Sequence, residues 1–111
     1  MNFTEKLAQA QLEAYNNGDI DAFVACYAPD VEVYLQGGPL LYRGLDALRE
    51  RYEPYFAANP ELHAALLYRM IHGGFAIDHE HVTGRTDGEE LFAIAIYEVV
   101  DEKIQRVWFI K

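Results

Sequence analysis

Leu7, Ala8, Gln11, Leu12 and Tyr15 fall at intervals of three and four along residues 3 to 16, the stripe of a helix buried on one side. Thr4 stands where a cap is expected, and Asn17-Gly18 stops the helix. Asp19 is placed to cap a second helix, in which Ile20, Phe23, Val24 and Tyr27 share a face. The period then changes. Val31, Val33 and Leu35 alternate with Glu32, Tyr34 and Gln36, which predicts a strand ended by Gly37-Gly38-Pro39. A third helix is expected from about Leu45 to Ala57, opened after Arg43-Gly44 and burying Leu48, Tyr52 and one of Tyr55 or Phe56. Pro54 should kink it or end its regular part.

Four strands are predicted after that, over about 62 to 72, 75 to 84, 90 to 100 and 103 to 110. Thr86-Asp87-Gly88 marks one hairpin, and Asp101-Glu102 turns another. Helices followed by a run of antiparallel strands make an α+β domain over residues 1–111, a curved sheet wrapped around the N-terminal helices and enclosing a conical cavity. No linker, repeat or low-complexity segment divides it.

The segment 90 to 100 is apolar on both faces, with Leu91, Ala93, Ala95, Tyr97 and Val99 on one and Phe92, Ile94 and Ile96 on the other. A half-exposed antiparallel strand would alternate with polar residues. Large apolar side chains gain roughly 1.5–3 kcal/mol each on burial, so the outer face is expected to be covered, most simply by a second copy in a homodimer. Phe75 and Ile77 are left as core residues or as an exposed patch. A two-residue turn at Asp87-Gly88 would set Glu80 opposite Ala95, Asp78 opposite Tyr97 and His81 opposite Ile94. Asp78 and Glu80 then face the cavity while His79 and His81 face outward, and a one-residue change in turn length would reverse this.

Composition narrows the functions. Eighteen acidic residues against nine Lys and Arg give a net charge of −9, which disfavours nucleic acid and anionic membrane surfaces as partners. The charged, amphipathic start and the lack of any long apolar run lead to the expectation of a cytoplasmic protein. Cys26 is the single cysteine, so no intrachain disulfide is possible, and no histidine stands at a suggestive spacing from it. His79 and His81 share a strand face with Glu80 on the other, and no third ligand is evident. No metal site is predicted.

The NNGDID turn at residues 16–21 and the CYAPDVEV segment at 26–33 resemble the nuclear transport factor two-like superfamily, in its SnoaL-like and ketosteroid-isomerase-like branch. The resemblance implies the cone-shaped, cystatin-like fold and a ligand cavity. In the isomerases a donor tyrosine, a general-base aspartate and a protonated aspartate act on the substrate carbonyl and the carbon beside it. By this resemblance those positions fall on Gln11, Leu35 and Ala95, so the usual acid and base are missing. Two supporting tyrosines are matched by Tyr27 and Tyr52. Nor is an Asp-Arg-Asp set found around Arg43 like that of the epoxide hydrolases of this fold.

The expected pocket residues are therefore Gln11, Tyr15, Tyr27, Leu35 and Tyr52, with Asp78, Ala95 and Tyr97 from the sheet. Trp108 is assigned to the cavity mouth or to the seam between copies. Glu80 is the candidate acid or base, since a carboxyl in an apolar cavity has its pKa raised; its alternative is a surface pairing with Arg85 or Lys103. The expected ligand is a small, mostly apolar molecule. The expected chemistry, if any, is cofactor-free proton transfer as in an isomerase or cyclase. The alternative is a non-catalytic ligand-binding or dimerisation module.

Overall fold

The computed structural model describes residues 2–111; Met1, the first residue of the predicted domain, lies outside them. Helix α1 spans Phe3–Asn17 and α2 spans Ile20–Val24. The cap of α1 is Asn2, not Thr4: Glu5 N donates to Asn2 Oδ1 at 2.8 Å, while Thr4 lies inside the helix and donates to Gly73 O. Gly18, at φ 64°, takes the left-handed conformation that closes α1, and Ala22 N donates to Asp19 Oδ1 to open α2.

Strand β1 covers Tyr27–Leu35 and β2 covers Leu40–Arg43. The sequence reading had no second strand here, because four residues show no alternation, and pairing with β1 is what holds them extended. Helix α3 runs Leu45–Ala58, straight through Pro54. Pro54 and Glu50, whose carbonyl loses its intrahelical partner, both face solvent, so the proline neither ends the helix nor strands a buried acceptor. Strands β3 (His63–His72), β4 (Phe75–Thr83), β5 (Leu91–Val100) and β6 (Lys103–Ile110) complete an α+β fold.

The sheet is curved and unclosed, with strand order β2-β1-β6-β5-β4-β3. Hairpins make the neighbours antiparallel, but β1 and β6 pair in parallel. Most of the chain separates those two strands, so no tight turn fixes their direction.

Between β4 and β5 the register differs from the expected one by two residues: Asp78 faces Ala95, Glu80 faces Ala93 and His81 faces Phe92. The connection is longer than a two-residue turn, running from Gly84 to Glu90. A shift of two preserves which face each side chain takes. Asp78 and Glu80 point inward, and His79 and His81 outward.

The core lies between the inner face and the helices, around Phe23, Val31, Val33, Leu48, Ile104 and Val107. The β4–β5 connection is pinned onto it. Asn59 Oδ1 accepts from both the amide and the hydroxyl of Thr86, and Gly84, at φ 81°, lies so close to the Glu61 carbonyl that no Cβ would fit. These contacts fix Arg85 between them.

The outer face carries an apolar row across the sheet, Tyr34, Trp108, Ile96, Ile77 and Met70, each opposite the next along the pairing registers. Tyr68 and Phe92 beside it are 68% and 60% exposed. Phe75 and Ile77 are half-buried. Below the row Glu32, Arg43, Arg106 and Glu98 form a chain of ion pairs whose charges cancel.

Candidate functional site

A cavity of about 270 Å³ opens between α1, α3 and the inner face of the sheet. Five aromatic rings cluster at one wall, four of them (Tyr15, Phe23, Tyr27 and Tyr52) lining the cavity and Phe56 packing against these. Phe23 lies at its centre, 5.0 Å from Tyr27, 4.8 Å from Tyr52 and 5.5 Å from Phe56 between centroids, and Tyr15 packs edge-on to Phe56 at 5.4 Å. Tilted and edge-on pairs of this kind are favoured beyond their buried area, so the wall is both apolar and stiff. Val82, Leu91, Ala93 and Phe109 face it from the sheet.

Polar groups enter from the floor. Tyr27 donates its hydroxyl to Gln11 Oε1 at 3.4 Å, and Gln11 Nε2 donates to Ala8 O at 3.1 Å. Burial raises the pKa of Tyr15, Tyr27, Tyr52 and Tyr97 above the ordinary phenol value, so these hydroxyls stay neutral and act as hydrogen-bond donors.

Glu80 lies on this floor, 8% exposed. Its neighbour on the same face, Asp78, is fully buried and gripped by Arg69: Nε and Nη2 donate to Oδ1 and Oδ2 at 2.7 and 2.9 Å. Arg69 Nη1 donates to Gln9 Oε1 at 2.9 Å, which ties α1 to the pair. Among the described residues nothing hydrogen-bonds or ion-pairs with Glu80, and its carboxyl opens to the cavity. Burial pushes its pKa up to about 7, Asp78 adding to the rise and Arg69 opposing it. Such a carboxyl both takes and gives a proton near neutrality.

Of the residues expected in the pocket, Gln11, Tyr15, Tyr27, Tyr52, Glu80 and Tyr97 line the cavity. Four do not. Leu35 ends β1 where the chain turns, with Gly38 N donating to Leu35 O, and its side chain is 38% exposed. Asp78 is occupied by Arg69, and Ala95 is packed into the core opposite it. Trp108 lies on the outer face, stacked on Tyr34 at 5.9 Å, and so belongs to the half-buried apolar row there. Neither proposed surface partner holds Glu80: Arg85 binds Asp87, and Lys103 donates to Ala25 O.

The sequence reading missed the rim, where Arg51 of α3, Arg85 and Lys111 surround the opening with Tyr55. Only their position in space unites these residues, so no spacing along the chain could have found them. Among the described residues no group of three His, Cys, Asp or Glu could hold a metal, and no helix is long and apolar enough to cross a membrane.

The model of the SnoaL-like domain family matches residues 8–107. The chain belongs to this SnoaL-like family. Its structure superposes on that of an uncharacterized cystatin-fold protein from Novosphingobium aromaticivorans at a TM-score of 0.88, with 30% identity over 100% of this chain and 99% of that one. A candidate ketosteroid isomerase from Kribbella flavida is 22% identical, over 96% of this chain and 76% of that one, at a TM-score of 0.82. A candidate polyketide cyclase from Sinorhizobium meliloti is 20% identical over 99% and 100% of the two chains, at 0.80. These last two likenesses concern the fold alone. No curated protein matches at a significant level.

The raised pKa of Glu80 ties stability to pH. In the unfolded chain the group titrates near its ordinary 4.5, and in the folded protein near about 7, so the fold favours the protonated form. Stability from this group is complete below the unfolded value and is lost as pH rises through the folded one. Glu80→Gln, which cannot ionise, should therefore gain on the natural protein between about pH 4 and about pH 8, by up to about 3 kcal/mol. Urea denaturation at the two pH values measures this; a pH-independent difference would contradict it.

Proposed function

We propose that this protein binds a small, mostly apolar molecule in the cavity and moves a proton on it without a cofactor, as an isomerase or cyclase does. One observation carries the reading: a buried carboxyl on the cavity floor, free of any ion-pair partner and poised to titrate near neutrality. Family membership and the cyclase- and isomerase-like neighbours support the same class of chemistry.

The step balances with the residues present. Glu80 as carboxylate removes a proton from the carbon beside a ligand carbonyl. The C–H electron pair moves into the ring or chain and onto the carbonyl oxygen, giving an enolate. A neutral hydroxyl donor lining the cavity, Tyr52 or Tyr97, stabilises that oxygen, with Gln11 beside them. The protonated Glu80 then returns the proton to a second carbon, or the enolate carbon attacks a second carbonyl, closing a ring, and Glu80 gives its proton to the alkoxide that forms.

The competing reading is a non-catalytic ligand-binding module. It is favoured by the residues at the isomerase positions, since neither Gln11, Leu35 nor Ala95 can take up a proton in this pH range. Deuterium exchange separates the two. With 2-tetralone, a bicyclic enolisable ketone, in heavy water, the natural protein should accelerate exchange beside the carbonyl. Glu80→Gln should lose this by about 10²–10⁴-fold while still binding the ketone. Binding without accelerated exchange in the natural protein would leave the non-catalytic reading.

The outer face supports a homodimer. The row from Tyr34 to Met70 is uncharged and the adjoining ion pairs cancel, so two copies of net charge −9 can meet there without opposing like charges. Sedimentation should give twice the 12.7 kDa chain mass. Ile96→Glu, a charge set between Ile77 and Trp108, should return it to the mass of one chain. A monomeric natural protein would contradict the proposal.

A further inference from the structure

The rim of the cavity differs from the rest of this acidic surface. Eighteen carboxylates outnumber nine cations in the chain, and nearly every arginine has found one. Arg43 pairs with Glu32, Arg49 with Asp21, Arg69 with Asp78, Arg85 with Asp87 and Arg106 with Glu98. Arg51 is the arginine left over, with no ion pair among the described residues. Its guanidinium lies 5.2 Å from the centroid of the Tyr42 ring. Lys111 is likewise without an ion pair, its ammonium 4.9 Å from the centroid of Phe109, a ring of the cavity wall.

Both cations, and Arg85, line the same opening. They come from α3, from the pinned β4–β5 connection and from the strand end beyond β6. Partial desolvation first, and then the charges of Arg51 and Arg85, lower the pKa of Lys111, so the three groups are close enough to repel one another. Like charges gathered this way disfavour the empty site, and an anion set among them relieves the repulsion. Aromatic rings under two of the cations hold them at the opening while leaving their donors free.

We infer that the ligand of this cavity is an amphipathic carboxylate, whose apolar body lies against the aromatic wall and whose anionic head is held at the rim by Arg51 and Lys111, with Arg85 beside them. This rests on the pocket reading above and names its ligand class. The polarity of the site gives the ligand one orientation. Arg51 and Lys111 are exposed at the rim, whereas Glu80, Gln11 and Tyr97 are buried on the floor. The carboxylate therefore stays outermost, and the far end of the apolar body meets Glu80. An anion at the floor would instead face the Glu80 carboxyl without a free cation, because Arg69 is committed to Asp78. An ion pair at a partly desolvated rim adds specificity and about tenfold in affinity over a neutral isostere.

Naphthalene-2-carboxylate and naphthalene-2-carboxamide are matched probes, alike in shape and differing in charge. Titration calorimetry at about pH 6.5, where the acid is ionised, should show the carboxylate binding about tenfold tighter, with the difference shrinking as salt is added. Arg51→Gln and Lys111→Gln together should erase the preference and leave amide binding unchanged, which also shows that the variant is folded. Equal binding of the two probes to the natural protein, or a preference that survives both substitutions, would overturn the anionic ligand while the bound amide still supports an apolar pocket. Binding of neither probe would overturn the pocket reading and this inference together.

Discussion

The buried Arg69–Asp78 pair organises the inner face of this sheet. A carboxylate with no exposed surface needs a charge partner and filled hydrogen bonds, and the bidentate guanidinium supplies both. The pair joins β3 to β4, and Gln9 extends it to α1, where it works with the Thr4 bond to Gly73 O and the Asn16 bonds to Ala64 to hold the first helix on the sheet. It also decides the state of the next carboxyl along. Arg69 is spent on Asp78, and Glu80, two residues on and on the same face, is left with burial and a neighbouring negative charge. Removing either partner would expose an uncompensated charge to the core, at a cost of about 3–5 kcal/mol.

From this constraint the site acquires a gradient. The floor holds neutral donors and one ionisable carboxyl, the walls are aromatic, and the rim is cationic. The five-ring cluster joins α1, α2 and α3 to one another through side chains, while backbone pairing joins the strands. Each layer is thus built from a different kind of interaction. The Gly84 approach to the Glu61 carbonyl and the Asn59 bonds to Thr86 then place the Arg85 segment against the opening.

Much of the fold was legible because its elements obey simple periods. The stripe of α1, the Asp19 cap and the alternation of β1 lie where the pattern put them. The β4–β5 turn shows how far such reading reaches: the pairing slipped by two residues, yet Glu80 stayed on the inner face because side chains alternate with a period of two. Where tertiary pairing rules, the pattern was silent. It missed β2, whose four residues are extended only through β1, and it expected a kink or an end to the regular part of α3 at Pro54, which faces solvent inside a helix that continues to Ala58. At the site the reading found residues in the middle of regular elements, such as Gln11, Tyr52 and Glu80. It misplaced Leu35 and Trp108, at strand ends or on a face where both sides are apolar. Arg51 and Lys111 were invisible to it, since they meet only when helix and sheet are assembled.

The account turns on Glu80 being a carboxyl held near neutrality inside the cavity. Site-resolved 13C NMR titration of the glutamate side-chain carboxyls, assigned by comparison with Glu80→Gln, reads this directly. The structure predicts a midpoint at about 7 for Glu80. A midpoint at the ordinary 4.5 would mean that solvent or an unrecognised partner stabilises the charged form, and the proposed acid–base role would fall with it.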